Sequence, residues 1–318
     1  MITPSDLYFA QARLQGVTTR TRLIEFDHAD PNRRLYLKPE NQQPIGAFKL
    51  RGAYNKIASL SDDERKRGVI SYSSGNHAQG VAYAARALGV KSVIVMPNNA
   101  PLIKREATTK LSAEIVLVGP SSDERKAKAE ELAAQHGYII VPPYNDEKII
   151  AGQGTIGLEI LGDLPEVEAV FSPVGGGGLI SGVAAAIKLT KPSIKVIGVE
   201  PELAADAQAS LRAGKIVQWP AEQVSRTLAD GLRTQSIGDI NFEHMRRYVD
   251  DIVTVTEDEI LHAMRLLAAN PKTVAEPSGA VATAGFIFRR DHLPSSRLNV
   301  AIISGGNIEP EVLKELRG

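Results

Sequence analysis

Residues 69–97, VISYSSGNHAQGVAYAARALGVKSVIVMP, join a strand, a small-residue turn, a helix and a second strand. The apolar run at 69–73 is typical of a short buried strand, whereas residues 81–88 repeat apolar side chains at helical spacing. Gly89 is suited to end that helix, and the apolar run at 93–96, followed by a proline, indicates the next strand. A strand, helix and strand in succession predict parallel strands.

The same alternation continues along the chain. Further strands are expected at 114–118 and 138–141, with helices at 103–111 and 123–136. A second series begins near residue 169, and its expected elements are strands at 170–174, 195–199 and 300–303 and helices at 179–189, 257–269 and 278–290. The sequence therefore predicts an α/β protein with two open sheets and no obvious linker between them.

Composition excludes several classes of function. The 318 residues carry 37 basic and 37 acidic side chains, so nothing predicts a nucleic-acid surface or an anionic membrane partner. The absence of cysteine excludes disulfides, thiolate zinc sites and cysteine nucleophiles. The N-terminus lacks the pattern of a signal peptide, and no apolar run approaches the roughly 20 residues of a membrane helix. We therefore expect a cytoplasmic protein.

Three small-residue turns follow expected strands, at 73–77, 175–178 and 304–307. Ligands of open α/β sheets lie at the carboxyl ends of strands, and a helix N-terminus attracts phosphate or carboxylate. The four glycines at 175–178 are the most specific signal, since glycine lets the backbone approach an oxyanion closely. A flexible turn is the alternative. Glu200 ends the next strand, where an acidic residue could bind a ribose. A nucleotide site therefore remains an alternative.

Lys49 lies between Phe48 and Leu50, in a segment with small residues on both sides. A lone lysine is usually a solvated surface group. In apolar surroundings its pKa falls, and the free amine can form a Schiff base and act as a base. Asn76 and His77 are either polar groups at a helix N-terminus or contacts to ligand hydroxyls.

The joint occurrence of seven motifs resembles the fold-type II enzymes that depend on pyridoxal phosphate (PLP), in particular the threonine/serine dehydratase and serine racemase group. The resemblance runs from about Thr18 to Ile308. Its motifs are Lys38–Asn41, Phe48–Ala53, Ser73–Gly80, Ala151–Ile156, Gly175–Leu179, Leu228–Gly231 and Ser304–Asn307. It implies a tryptophan synthase β-like fold of two open twisted parallel-sheet lobes with the active site between them. The large PLP-binding lobe would comprise residues 1–67 and 147–318, and the small α/β lobe residues 68–146.

The resemblance also implies how the cofactor is held. Lys49 would carry PLP covalently, with Phe48 packed near its ring and Asn76 bonded to the phenolic oxygen. The phosphate would lie against Gly175, Gly176, Gly177 and Gly178. Ser304 would face the pyridine nitrogen, and because a hydroxyl is neutral, that nitrogen would stay largely unprotonated, which favours prompt β-elimination.

Substrate and cation sites follow from the same resemblance. The substrate carboxylate would be held by the loop of Ser73, Ser74, Gly75, Asn76 and His77. In relatives with a divalent cation such as Mg²⁺, the ligands match Glu200, the Ala204 carbonyl and Asp206. Judged by spacing alone, the two acids are more simply surface groups that cap a helix.

The implied activity is that of a PLP-dependent dehydratase, an ammonia-lyase that converts L-threonine, L-serine or both to a 2-keto acid. The rivals are a serine racemase, because Ser74 matches the second catalytic base of racemases, and a 3-hydroxyaspartate dehydratase, because Arg125 matches a position near the distal end of the substrate. Residues 143–146 look more like those of dehydratases. At position 47 many relatives have a residue with a hydroxyl group, whereas this chain has Ala47. His77 argues against a β-replacement enzyme, because those enzymes usually have threonine at that position.

The partners implied are a small amino-acid substrate and further copies of the chain in a homo-oligomer, a dimer or a tetramer. Neither nucleic acid nor membrane is expected. The chain ends directly after the catalytic-type lobe, at residue 318, so we expect no isoleucine feedback through a regulatory extension.

Overall fold

The computed structural model describes residues 1–28, 30, 32–73, 75–100, 102–119, 122–292 and 295–317. The strands are β1 (Ile24–Phe26), β2 (Arg34–Pro39), β3 (Val69–Tyr72), β4 (Ser92–Pro97), β5 (Glu114–Val118), β6 (Ile139–Ile140), β7 (Ala169–Pro173), β8 (Lys195–Pro201), β9 (Asp251–Val255) and β10 (Leu298–Ile303). The helices are α1 (Pro4–Leu14), α2 (Lys49–Ala58), α3 (Asp62–Arg67), α4 (Asn76–Ala87), α5 (Leu102–Thr109), α6 (Ser122–His136), α7 (Glu147–Asp163), α8 (Gly178–Thr190), α9 (Asp206–Ala213), α10 (Ala221–Val224), α11 (Asp239–Tyr248), α12 (Glu257–Ala268), α13 (Pro277–Phe288) and α14 (Pro310–Arg317).

Two separate sheets form the two lobes that the sequence predicts. The large lobe contains a six-stranded sheet in the order β1-β2-β10-β7-β8-β9, and the small lobe a four-stranded sheet in the order β5-β4-β3-β6. All neighbouring strands are parallel except β1 and β2. An antiparallel edge strand is common on such sheets. The expectation of an α/β fold with two open parallel-sheet lobes is confirmed.

The strands of both sheets are apolar because helices cover their faces. Every residue of β4 and β7 is buried, and so are all but the first residue of β8. A sheet buried on both faces needs such continuous apolar runs rather than an alternating pattern. Within the described residues, no helix has the length and apolarity that a membrane crossing requires.

Helix α2 lies where the lobes meet. Its apolar residues, including Leu50 and Ala53, share a core with α4 and β4 of the small sheet. On its other side α2 crosses α7 so closely that a Cβ on Gly152 would lie 2.7 Å from the carbonyl oxygen of Arg51. The proposed domain boundaries at 67/68 and 146/147 stay a prediction, and α2 contacts elements on both sides of them.

Candidate active site

A cleft of about 800 Å³ lies at the carboxyl ends of β3, β7 and β10. Its lining includes nearly all of the cofactor and substrate residues that the sequence predicts: Phe48, Lys49, Ser73, Gly75, Asn76, His77, Gly175, Gly176, Gly177, Gly178 and Ser304. Ser74, predicted as a catalytic and substrate residue, lies outside the described residues. Residues separated by more than 200 positions in the sequence therefore meet at one site.

Lys49 is the first residue of α2. Its Nζ donates a 2.8 Å hydrogen bond to the carbonyl oxygen of Pro143 and lies 5.2 Å from the centre of the Phe48 ring. The side chain is only partly shielded from solvent as a whole, but its amine lies deep in the cleft. Desolvation there lowers the pKa of Lys49 from 10.5 to about 8. A substantial fraction of the amine is therefore unprotonated, as nucleophilic attack on an aldehyde requires.

A buried charge network anchors the helix that carries Lys49. The Arg51 guanidinium, two residues farther along α2, binds both carboxylate oxygens of Glu40 at 2.7 and 2.8 Å. It also binds both oxygens of Glu159, on α7, at 2.7 and 3.0 Å. Lys38 completes the group with a 2.6 Å contact to Glu159. Two cations and two anions balance, which allows these charges to be buried.

The loop that ends β3 supplies polar groups from the small lobe. Gly75 precedes α4, and no described side chain caps this helix, so its first N–H groups can take an anion. His77 behaves differently, since its ring is 3% exposed and bonds through Nε2 to the Val141 carbonyl. Burial, with the nearby Lys49 charge, lowers the pKa of His77 to about 3. The ring is therefore neutral and holds the loop in place.

Asn76 is fixed by two residues to which the sequence assigned no role. Its Nδ2 donates to a Glu276 carboxylate oxygen at 2.6 Å, and its Oδ1 accepts from Asn307 Nδ2 at 2.7 Å. Asn307 belongs to the motif at 304–307. Glu276 directly precedes the proline that begins α13, which is a local signal for a helix start but not for a site.

Each glycine of the loop at 175–178 has a reason in packing or backbone conformation. A Cβ on Gly176 would lie 2.2 Å from the Tyr144 ring, and one on Gly178 2.9 Å from Tyr144 Cβ. Gly177 has a positive φ of 91°, and a Cβ on Gly175 would lie 3.1 Å from Leu232 Cα. The phosphate interpretation is compatible with this packing, because α8 begins at Gly178 without a side-chain cap.

Ser304 follows β10 and is 4% exposed. Its hydroxyl donates to the Ser278 carbonyl at a long 3.3 Å, and its own carbonyl accepts the Phe48 N–H at 3.0 Å. Ser304 is thus tied to the residue that precedes Lys49. A long hydroxyl bond is weak enough to be exchanged for a ring nitrogen.

Glu200 and Asp206 lie outside the cleft lining, and both are fully buried. The expectation of surface acids is therefore wrong. Glu200 does cap α9, because its oxygens accept the N–H groups of Ala207 and Gln208 at 3.0 and 2.8 Å. Among the described residues, no side chain donates to either oxygen of Asp206, and the backbone N–H groups of Asp206 and Ile237 are its nearby donors. Desolvation raises the pKa of both acids, and for Glu200 the charge of Asp206 adds to it.

Comparisons with known proteins agree with this geometry. A family model described as pyridoxal-phosphate dependent enzyme matches residues 14–305. The chain belongs to this family. It is 47% identical over 320 residues to an L-threonine ammonia-lyase of Thermotoga maritima, covering 99% of this chain and 78% of that protein.

Two further relatives carry other activities in their names. The chain is 42% identical over 313 residues to an L-threo-3-hydroxyaspartate ammonia-lyase of Saccharomyces cerevisiae, with coverage of 97% and 95%. A structure of maize serine racemase superimposes with a TM-score of 0.93 at 36% identity, covering 98% of this chain and 95% of the other. The chain is thus an enzyme of the PLP-dependent family with the fold-type II architecture.

Proposed function

We propose that the chain is an ammonia-lyase that converts L-threonine, L-serine or both to a 2-keto acid and ammonia by α,β-elimination of water. The observation that carries the proposal is one lysine amine, with its pKa lowered to about 8, in the same cleft as the glycine loop. The Thermotoga relative, named for threonine, supports the choice of substrate.

The residues of the cleft fit PLP. The uncapped N-terminus of α8 offers N–H groups beside backbone without side chains, which suits a phosphate. In this proposal Lys49 holds the cofactor through its amine and Phe48 lies beside the ring. Asn76 donates to the phenolic oxygen, Ser304 faces the pyridine nitrogen, and the phosphate is held by Gly175, Gly176, Gly177 and Gly178.

When bound, PLP supplies an aldehyde that captures amines and a conjugated ring that accepts electrons from the α-carbon. When not bound to the cofactor, the Lys49 amine would act as the base that removes the α-proton of the substrate. Burial lowers the pKa of that amine to about 8, so it remains basic while a larger fraction is uncharged near neutral pH than in an ordinary lysine. His77 stays neutral and therefore adds no charge beside Lys49.

The loop of Ser73, Ser74, Gly75, Asn76 and His77 would hold the substrate carboxylate through the N-terminus of α4. A carboxylate at a helix N-terminus gains hydrogen bonds and a favourable dipole interaction. We propose that Ser74 contributes to this loop and that, in racemisation, it would act as a second base.

We also propose that Glu200, the Ala204 carbonyl and Asp206 bind Mg²⁺ or another divalent cation. The support is the Asp206 carboxylate, which is buried beside that of Glu200 and receives no hydrogen bond from a described side chain. Oxygen ligands of this kind suit hard cations. Among the described residues, no group of three or more His, Cys, Asp or Glu side chains gathers at one point, so the site would need the carbonyl and water as further ligands.

The second candidate is turnover of a dicarboxylate such as 3-hydroxyaspartate, or racemisation of serine. Arg125 favours the dicarboxylate, because it lines the cleft and its burial lowers the pKa of its guanidinium, a sign of incomplete solvation. The yeast relative is named for L-threo-3-hydroxyaspartate. Racemisation depends on Ser74 and is supported by the likeness to maize serine racemase.

We further propose that the chain forms a homo-oligomer, a dimer or a tetramer, in the cytoplasm. Tyr8 and Phe9 on α1 are 63% and 62% exposed, and adjacent exposed aromatic side chains are typical of contact surfaces. Light scattering of the purified protein would give the subunit count.

A substrate screen tests the proposed activity. The purified protein with PLP would be given L-threonine, L-serine and L-threo-3-hydroxyaspartate, and both keto acid release and D-isomer formation would be followed. We expect rapid keto acid release from threonine or serine. Turnover of hydroxyaspartate alone, or D-serine as the main product, would replace the leading proposal with its alternative.

A further inference from the structure

Asn76 is the only residue of the predicted cofactor contacts whose side-chain amide must face in one particular direction to act as a donor. An asparagine amide has an oxygen that accepts and an NH₂ that donates, and the two ends are nearly the same size. If the amide turned over, the cleft would meet an acceptor instead of a donor. The hydrogen bonds around Asn76 determine which end is where.

Glu276 selects the donor end. Its carboxylate oxygen lies 2.6 Å from Asn76 Nδ2, and an ionised carboxylate can only accept. The Asn76 oxygen cannot take that position without facing a negative charge. Glu276 is 6% exposed, so water does not replace this bond readily, and a bond to a charged group is stronger than a neutral one.

Asn307 reinforces the same orientation from the other side. Its Nδ2 donates to the backbone carbonyl of Ile45 at 3.0 Å and to Asn76 Oδ1 at 2.7 Å. The Ile45 carbonyl is an acceptor only, which fixes the Asn307 amide with its NH₂ toward Asn76. Asn307 is exposed at the rim of the cleft, so its contribution is smaller than that of Glu276.

The backbone makes room for the Glu276 side chain. A Cβ on Gly305 would lie 2.3 Å from Glu276 Oε1, so this carboxylate needs glycine at position 305. Glu276 precedes α13 but its side chain makes no capping hydrogen bond to that helix. Its orientation toward Asn76 is thus not explained by the usual role of an acidic residue at a helix start.

We propose that Glu276 and Asn307 are positioning residues that hold the Asn76 amide with an N–H directed into the cleft, where it donates to an anionic ring oxygen. Among the described residues, Asn76 Nδ2 makes one hydrogen bond, to Glu276, and its second hydrogen remains for a ligand. The inference rests on the proposed contact between Asn76 and PLP. Because Asn76 begins α4 while its two partners belong to the large lobe, the pair also ties the lobes together at the cofactor.

The test measures PLP affinity and the absorption spectrum of the bound cofactor in Glu276→Ala, Glu276→Gln and Asn307→Asp. Asn99→Asp, which adds the same charge as the last variant at an exposed turn, is the matched control. Circular dichroism and the unfolding midpoint report whether each variant is folded. A merely structural role would lower the midpoint without changing the spectrum of the folded protein.

We expect Glu276→Ala and Asn307→Asp to bind PLP about tenfold more weakly, the effect of losing roughly one hydrogen bond. Their visible band should fall and the near-ultraviolet band rise, because the anionic ring oxygen loses its donor. Glu276→Gln should retain the wild-type spectrum, since its amide oxygen can accept from Asn76 while Asn307 still fixes the orientation. Asn99→Asp should match wild type.

Wild-type affinity and spectrum in Glu276→Ala and Asn307→Asp would overturn this inference and leave the proposed function intact. Equal spectral loss in Glu276→Gln would also overturn it, because the charge rather than the orientation would then matter. The proposed function fails by a different result, namely no visible band in the wild type or an unchanged band in Lys49→Ala.

Discussion

The Lys49 amine donates a hydrogen bond to the backbone carbonyl of Pro143, 2.8 Å away. Lys49 begins α2, whereas Pro143 lies in the segment that leads from β6 to α7. The next residue, Tyr144, packs against Gly176 and Gly178. The amine and the glycine loop are therefore positioned by the same short segment, and a change in that segment should disturb both.

The lowered pKa of Lys49 predicts how the cofactor-free protein reacts with PLP. Only the unprotonated amine attacks an aldehyde, so the rate at which the visible band forms should rise with pH and level off above about 8. Stopped-flow absorbance between pH 6.5 and 10.5 measures this. A rate that keeps rising through pH 10, as for an ordinary lysine, would show that the cleft does not desolvate the amine.

Gly176→Ala should disturb the glycine loop through Tyr144. The new Cβ would lie 2.2 Å from the Tyr144 ring, and such overpacking costs about 1–3 kcal/mol of unfolding free energy. PLP affinity should fall as well, and adding Tyr144→Ala should recover part of the stability in a double-mutant cycle. Gly162→Ala is the control, because its Cβ would meet only the flexible end of Arg20. Additive effects at 144 and 176 would contradict this packing.

Arg51→Met should be strongly destabilising. It would leave Glu159 paired with Lys38 alone, while Glu40 would keep only neutral donors, Thr21 and Gln43. Breaking a buried ion pair costs about 3–5 kcal/mol. Urea unfolding measures the loss.

Arg34→Met is the matched control for Arg51→Met. Arg34 pairs with Glu25 at 2.8 Å, but both side chains are more than half exposed, so the loss should be much smaller than at position 51. Equal losses at positions 34 and 51 would mean that the buried network adds nothing to the anchoring of α2.

Asp206→Asn should stabilise the protein in the absence of divalent cations. The substitution removes a buried carboxylate to which no described side chain donates, and such a group costs about 1–3 kcal/mol while it stays ionised. Mg²⁺ should raise the unfolding midpoint of the wild type but not that of Asp206→Asn, and Asp258→Asn at an exposed position should respond like the wild type. A cation-dependent increase that survives in Asp206→Asn would place the cation elsewhere.

Much of the fold follows from local sequence patterns, because buried parallel strands are short apolar runs. The run at 114–118 was expected as a strand and forms β5 with those bounds. Gly89, expected to end a helix, has a φ of 65° directly after α4. Helix α7 was not predicted, because its sequence contains several glycines and glycine lowers helix propensity. The glycines at 152, 154 and 157 allow α2 and α8 to approach α7 closely.

The candidate site was less predictable where it depends on contacts between distant residues. Lys49 and the glycine loop carry chemistry that residue type alone indicates. Glu276 contacts Asn76 across 200 positions, and no local pattern encodes such a pair. The charge network around Arg51 was equally unpredictable. Its Lys38, on β2, would be expected at the surface from residue type alone but is fully buried beside Glu159.

Covalent trapping of PLP on Lys49 is the most direct test of the proposed function. The PLP-loaded protein would be reduced with borohydride and digested, and the modified peptide identified by mass spectrometry, with keto acid release from threonine followed in parallel for wild type and Lys49→Ala. We predict that the reduced cofactor is found on Lys49 and that Lys49→Ala releases no keto acid. A cofactor attached to another lysine, or elimination that persists in Lys49→Ala, would contradict the account.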